Sequence, residues 1–147
     1  MKINDAAAAV EAWAAETVEG LNATEAFDTG SIPDLPFASA SIVEVTDGAE
    51  SRLFPRLQRL EQERFRTLTF ELLLLAVPEP AAEAATWLAD AADALSTDLR
   101  GNATLGDRVY RASTVHRWSF RPPFVRIDDA TEARQATMTL ALAEEVA

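Results

Sequence analysis

The sequence has no cysteine, one histidine and five scattered glycines, and each shortage excludes a kind of chemistry. Without cysteine there is no disulfide, no thiolate metal ligand and no cysteine nucleophile. The glycines never form a phosphate-cradling loop, and no lysine follows one of them. His116 falls in a segment with strand character, which favours a packed side chain over a catalytic one. We therefore predict no catalytic, cofactor-binding or metal-binding residue, no cofactor and no enzymatic activity.

Long apolar runs are also missing. The longest, residues 72–77, has six side chains, whereas a membrane-spanning helix needs roughly 20. Asp5 and Glu11 bracket the alanine run near the N-terminus, where a secretion signal requires an unbroken apolar region. The sequence thus predicts a cytosolic protein with no membrane partner.

The size and composition are those of one globular domain. The chain has 147 residues, of which 48% are hydrophobic and 25% charged, and at this length roughly two thirds of the unfolded surface can be buried. We expect a single domain over residues 1–147.

Basic residues are scarce and unevenly distributed. The net charge is −11, from 13 basic and 24 acidic residues, which argues against nucleic acid as a direct partner. Residues 52–66 nevertheless hold five arginines and two acids, and residues 100–126 hold six arginines and one acid. Basic patches in an acidic chain fit complementary contacts between copies or partners. The alternative is a soluble surface with no binding role.

The candidate interface residues come from these two basic segments and from one long loop. Residues 22–36 combine proline, glycine, aspartate and serine, and loops of that length often carry contacts. The candidates are Arg52, Arg56, Arg59, Arg111, Arg117, Arg121, Asp28 and Asp34.

Two helices are predicted from apolar spacing. Residues 79–99 carry one apolar stripe and end at Gly101 as a C-cap. Residues 4–19 predict a second helix, with Glu11 and Glu19 off its apolar stripe and Trp13 as a core anchor. The apolar stripe of the helix at residues 4–19 consists of Val10, Trp13, Ala14, Thr17 and Leu21.

A central strand is predicted at residues 65–77. Leucine spacing before and within this stretch also allows a helix, but Thr67, Thr69 and Phe70 favour a strand, and Pro78 ends it. Residues 37–46 predict a strand with Ile42, Glu44 and Thr46 on one face, closed by a turn at residues 47–48. Residues 49–63 fit either a strand or a short helix.

The last third predicts a meander of strands. Residues 108–120 alternate as a single strand, with one aromatic face and one basic face. The first face holds Tyr110, Ala112, Thr114, His116, Trp118 and Phe120, and the second holds Arg111, Ser113, Val115, Arg117 and Ser119. Residues 124–127 and 133–143 predict a hairpin, with Ala136, Met138, Leu140 and Leu142 facing inward.

Several phrases resemble the tail terminator proteins of tailed bacteriophages. They are LADAADALSTDLRGNATLGDRVYRAS, FRPPFVRIDDATEARQATMTLALAEEV and the preceding ERFRTLTFELLLLAVPEPA, which together cover roughly residues 60–147. The resemblance rests on short phrases, such as T-L-G after the helix and P-P-F before the hairpin. It implies an α/β (α+β) fold with a small, mostly antiparallel sheet packed by two main helices on one face.

The resemblance also implies a function. Such proteins form hexameric rings that bind the head-proximal end of the tail tube, stop its growth and present a surface to the neck. The implied partners are copies of the chain itself, the tail tube protein and a neck or head-completion protein. The implied location is the virion tail, assembled in the host cytoplasm. The alternatives are another neck or tail-completion component, a cytosolic binding module, or a small enzyme that uses His116.

Overall fold

The computed structural model describes residues 2–23, 35–57, 62–76, 81–120, 124–126 and 132–146. Arg59, Arg121, Asp28 and Asp34 lie outside these ranges, as does most of the predicted contact loop at residues 22–36. The elements are α1 (Ile3–Thr17), β1 (Asn22–Ala23), β2 (Phe37–Asp47), β3 (Phe65–Leu75), α2 (Ala81–Gly101), β4 (Arg111–Ala112), β5 (Arg117–Ser119), β6 (Phe124–Arg126) and β7 (Glu132–Glu145).

The sheet is built around β3, as the apolar stretch predicts. β2 and β7 pair with it on either side, both antiparallel, so that Phe70 lies opposite Ile42 in one strand and Leu140 in the other. β1 adds a short parallel pairing at the start of β2. β4, β5 and β6 each run antiparallel to a different part of β7. The fold is α+β with a mostly antiparallel sheet, and this part of the prediction is confirmed.

Both helices pack on the same face of the sheet. The predicted stripe of α2 is buried at Ala84, Leu88, Leu95 and Leu99, in one cluster with Trp13 of α1. The sheet contributes its alternate residues to the cluster, because successive side chains of a strand point to opposite faces. Those residues include Leu68, Phe70, Leu72 and Leu74 of β3 and Ala136, Met138, Leu140 and Leu142 of β7.

The chain leaves α2 through a left-handed loop. The helix continues to Gly101, so the predicted C-cap is its last residue, and Leu105, Gly106 and Asp107 follow with φ of 51°, 72° and 62°. The Asn102 side chain accepts a hydrogen bond from the Gly106 N–H at 2.8 Å, which supports this conformation. Asp tolerates the left-handed region better than most side chains. The loop returns the chain to the sheet at β4.

Glu11 departs from the predicted helical pattern. We expect it off the apolar stripe, but it is buried. Its carboxylate accepts a hydrogen bond from the Ala40 N–H at 3.1 Å. Ala40 lies just beyond the short β1 pairing, where its amide has no strand beside it in the described chain. A carboxylate from the neighbouring helix satisfies a backbone donor that the sheet leaves open.

The predicted alternation in β2 is wrong after Ile42. Ile42 pairs with Phe70 but Glu44 already pairs with Thr69, so Val43 is an extra residue in a β-bulge. A bulge turns every later side chain to the other face. Ile42 therefore faces the helix side of the sheet, and Glu44 and Thr46 face the side without helices.

Candidate interaction surface

The first basic segment packs on the helix-free face of the sheet. Residues 50–57 form consecutive turns rather than a strand or a helix, and residues 58–61 lie outside the described ranges. Phe54 and Leu57 are buried against Phe65, Ala141 and Ala143. The segment thereby covers one end of this face and holds its arginines at the surface.

The second basic segment lies directly beside the first. The Ser113 hydroxyl donates a hydrogen bond to the Leu53 carbonyl at 2.7 Å, and the Phe65 and Tyr110 rings have centroids 4.7 Å apart. These contacts join residues that are 60 and 45 positions apart in the sequence. The structure therefore brings together the two arginine-rich segments that charge patterning identifies separately.

The predicted continuous strand over residues 108–120 is wrong. Ala112 pairs with Leu142 and Arg117 pairs with Thr139, so this stretch has two more residues than the matching part of β7. Ser113 makes the break, because its hydroxyl also accepts a hydrogen bond from the Val115 N–H at 3.1 Å, a local turn that serine favours.

The predicted aromatic and basic faces therefore do not form as continuous faces. Ala112 and Ser113 are both buried, whereas Tyr110, Val115 and Phe120 are about half exposed. Because two residues are inserted, side chains after the break again alternate between the two faces in the same phase as before it. Arg111 and Arg117 lie opposite Ala143 and Thr139, which occupy the same, helix-free face of β7.

Both ring nitrogens of His116 make hydrogen bonds within the subunit. Its Nδ1 lies 2.8 Å from the Thr114 carbonyl oxygen, which only accepts, so Nδ1 carries the proton. Its Nε2 lies 2.8 Å from the Ser96 hydroxyl, and the same hydroxyl accepts a hydrogen bond from the Trp118 indole at 2.8 Å. This network ties β5 and its approach to α2 and gives His116 a structural role.

A polar cleft of about 340 Å³ opens between the sheet and the two basic segments. Its lining combines two arginines, two glutamates, the histidine and a row of threonines from the middle strands. The lining residues are Glu44, Thr46, Glu50, Arg52, Leu53, Thr67, Thr69, Val115, His116, Arg117, Thr139 and Ala141. A concave surface with both charges suits a charged protein segment or a small polar ligand better than an apolar one.

Within the part of the chain that the structure describes, three of the four candidate arginines in this region have no acidic partner. Arg52 pairs with Glu50 at 3.3 Å, both well exposed. Among the described residues Arg56, Arg111 and Arg117 make no ion pair, although Arg56 and Arg117 are exposed. By contrast, Arg64 and Arg66 pair with the adjacent acids of β7, Glu145 and Glu144, at 2.8 Å each. Of the three arginines without an ion pair among the described residues, Arg111 and Arg117 lie on β4 and β5, and Arg56 lies in the turns of residues 50–57.

Acidic side chains occupy other parts of the surface. Glu44 and Asp47 are exposed on β2, at the opposite side of the sheet from β5. The outward faces of the helices are acidic as well, with exposed Asp5, Glu16, Glu83, Asp90 and Asp93. The outward faces of the helices are therefore mainly acidic, whereas the cleft brings Glu44 and Glu50 together with Arg52 and Arg117.

Sequence reasoning finds the arginines but misses the surface they share. The break at Ser113 and the contact with Leu53 depend on tertiary packing. A signal for the break is present nevertheless, because Ser113-Thr114 interrupts the apolar character of the segment with two residues that favour local turns. The exposed far edge of β2, with Ile42, Val43 and Val45, is likewise not apparent before the bulge is known.

Within the described ranges, the acidic and histidine side chains form no group of three that would hold a metal ion. In the same ranges, neither helix is both long and apolar enough to cross a bilayer. Comparison with models of known protein families and with curated proteins found no match to this chain.

Proposed function

We propose that this chain is a structural, non-enzymatic subunit of a phage tail, a terminator that forms a hexameric ring on the head-proximal end of the tail tube. The ring ends tube polymerisation and offers a surface to the neck or head-completion protein. It belongs to the virion tail and is assembled in the host cytoplasm. The observation that carries the proposal is the packing of two distant arginine-rich segments against each other, with Arg52 and Arg117 in the lining of one cleft of an acidic molecule.

Those arginines contribute little to the stability of the subunit. An exposed ion pair is worth at most about 1 kcal/mol, and Arg56, Arg111 and Arg117 make no ion pair within the described chain. Arginines without an ion pair among the described residues, in a chain of net charge −11, have the chemistry to contact an acidic surface on another subunit. Several such contacts repeated around a ring set register and partner choice.

There are two alternative functions, one in the same class as the proposal and one in a different class. Another neck or tail-completion component would use the same surface in the same class of assembly. A cytosolic binding module is favoured by one observation, the cleft of about 340 Å³ with Arg52, Arg117 and His116 in its lining. Its ligand would be a small polar molecule, because Glu44 and Glu50 line the same cleft, and the chain would act as a monomer.

The test reverses two arginines and follows folding and assembly separately. The variant is Arg111→Glu with Arg117→Glu, and the matched control is Arg100→Glu, an exposed arginine on the last turn of α2. We expect circular dichroism and the urea midpoint of the double variant to match the parent chain. We also expect loss of rings and, in an infection complemented with the variant, tails of uncontrolled length.

The control variant is expected to form rings and to cap tails at the normal length. A double variant that caps tails as the parent does contradicts the proposed use of the arginines. A parent chain that is monomeric and binds a small polar molecule in the cleft supports the binding module instead.

A further inference from the structure

Within the described ranges, one long edge of the sheet has no partner strand along most of its length. β1 covers β2 only at Phe37 and Ala38, and in the described chain no other strand lies on that side. Residues 41–45 are all exposed, including Ile42, Val43 and Val45 at 37%, 51% and 46%. A long exposed strand edge with apolar side chains pairs readily with another chain, and stable monomers usually block it.

At this edge, some backbone N–H and C=O groups of β2 are directed away from β3. The Gly48 N–H donates to the Phe65 carbonyl at 2.7 Å, so Gly48 is directed toward β3. Alternate residues of an antiparallel strand direct their N–H and C=O groups to the same side. Thr46 and Glu44 are thus directed toward β3, and Val45 and Asp47 direct their polar backbone groups to the open side.

The opposite edge of the sheet has complementary properties. β4 and β5 form the last strands on that side, and no described strand lies beyond them. Three large apolar side chains next to them are about half exposed, Tyr110, Val115 and Phe120. The charged side chains here are Arg111 and Arg117, whereas β2 carries Glu44 and Asp47. Each edge therefore combines exposed apolar side chains with charge, and the charges have opposite signs.

Strand direction also favours contact between the two edges. β2 and β7 run one way, and β3 and β5 run the other way. If copies are arranged head to tail in the same orientation, β5 of one copy lies antiparallel to β2 of the next. Pairing β2 with β2 would instead bring Glu44 and Asp47 against the same acids, and like charges in facing strands are destabilising.

We propose that β2 of one copy pairs with β5 of the next copy, so that the sheet continues from subunit to subunit. The occupant of the open edge is thus a second copy of this chain. Glu44 and Arg117 lie on the same, helix-free face, as their pairing with Thr69 and Thr139 shows, and they meet across the contact. A contact between two different patches forms a ring when the rotation closes.

This inference rests on the proposed function, which requires self-association. It identifies the β2 edge and the β5 edge as the two surfaces that meet. The test is a charge swap followed by native mass spectrometry and sedimentation velocity across a range of concentrations. Glu44→Arg and Arg117→Glu are made singly and together. Each single reversal is expected to raise the concentration for half-assembly by roughly tenfold or more, since close charge pairs at interfaces couple strongly. The double variant is expected to recover most of that loss.

A second variant tests the backbone rather than the charge. Val45→Pro removes an N–H that is directed to the open edge, and it leaves the β2–β3 hydrogen bonds in place. Its matched control is Val45→Thr, which keeps the N–H and the β-branched shape. We expect the threonine variant to assemble as the parent does and the proline variant to remain a folded monomer, with folding checked by circular dichroism.

The outcomes separate this inference from the function on which it rests. An assembling parent chain whose edge variants assemble equally well overturns the edge contact and leaves the proposed function standing. Assembly that is lost in Glu44→Arg but unaffected by Arg117→Glu also overturns it, because β2 would then meet a surface other than β5. A parent chain that stays monomeric at every concentration overturns the proposed function itself.

Discussion

Trp13 connects the two helices through one hydrogen bond. Its ring is 1% exposed, and its indole N–H donates to the Asp98 carboxylate of α2 at 2.7 Å. Asn102 donates to the same carboxylate oxygen at 3.0 Å. The side chain therefore fills the core and also fixes α1 against the end of α2. Apolar spacing in the sequence predicts the burial of this side chain but not its hydrogen bond to α2.

The substitution Trp13→Phe tests this connection. We expect a loss of about 1–3 kcal/mol in the free energy of unfolding, because a partly buried carboxylate loses a donor and the core loses volume. The matched control is Trp87→Phe, where the tryptophan is half-buried at the margin of the same core and makes no hydrogen bond in the described structure. Urea unfolding is expected to give a smaller loss there, and equal losses at both sites would contradict a specific role for the Trp13–Asp98 bond.

Individual residues are predictable from sequence when burial alone decides their environment. Trp13, Leu74 and Leu95 are buried as the apolar spacing predicts. Glu11 is not predictable in this way, because its position depends on a backbone amide in a strand 29 residues away. Ser113 is similar, since its hydroxyl joins a carbonyl 60 residues away. Polar side chains that satisfy distant backbone groups carry no periodic signal.

α2 is held on the sheet mainly by its leucines. Leu95 is fully buried in the cluster that the helix forms with β3 and β7. We expect Leu95→Ala to lower the free energy of unfolding by roughly 2–5 kcal/mol, because the lost side chain leaves a cavity. Thr97→Ala, on the exposed face of the same helix, is the control and is expected to change stability by less than about 0.5 kcal/mol. A parental urea midpoint for Leu95→Ala would place that side chain outside the core.

Helices and strands are predicted well where one spacing of apolar residues runs through the whole element without interruption. α1, α2, β3 and the β6–β7 hairpin agree with the sequence predictions to within about two residues at their ends. The failures come where a strand gains residues relative to its neighbour, at Val43 in β2 and between Ala112 and Arg117. An insertion changes which face a side chain occupies, and the register of the neighbouring strand decides whether an insertion exists. That information is not local.

Across the molecule, charge separation predicts how salt affects assembly. Arg111 and Arg117, which make no ion pair within the described residues, lie on β4 and β5, and exposed acids lie on β2 and on both helices. Raising salt from 0.05 M to 0.5 M shortens the Debye length from roughly 14 Å to roughly 4 Å. We therefore expect self-association, followed by light scattering, to weaken across this range while the circular dichroism of the subunit is unchanged. Association that is indifferent to salt would mean that the arginines do not drive it.

The arrangement of the candidate site is a property of the whole fold. The sequence alone separates the basic segments, and only the packing of residues 50–57 on β7 brings them together beside one cleft. The outcome for Arg59, Arg121, Asp28 and Asp34 lies outside the described residues, so their role stays a prediction. The surface that can be tested now is the one formed by Arg52, Arg56, Arg111 and Arg117.

The central claim is that this chain assembles with itself into a closed ring. The most direct measurement is electron microscopy of the purified chain at low salt, with class averages of single particles viewed along the symmetry axis. We expect closed rings with six-fold symmetry, which disappear in the Arg111→Glu, Arg117→Glu variant and persist in Arg100→Glu. Particles that remain single subunits in the parent chain, at concentrations well above those of an infected cell, would contradict it.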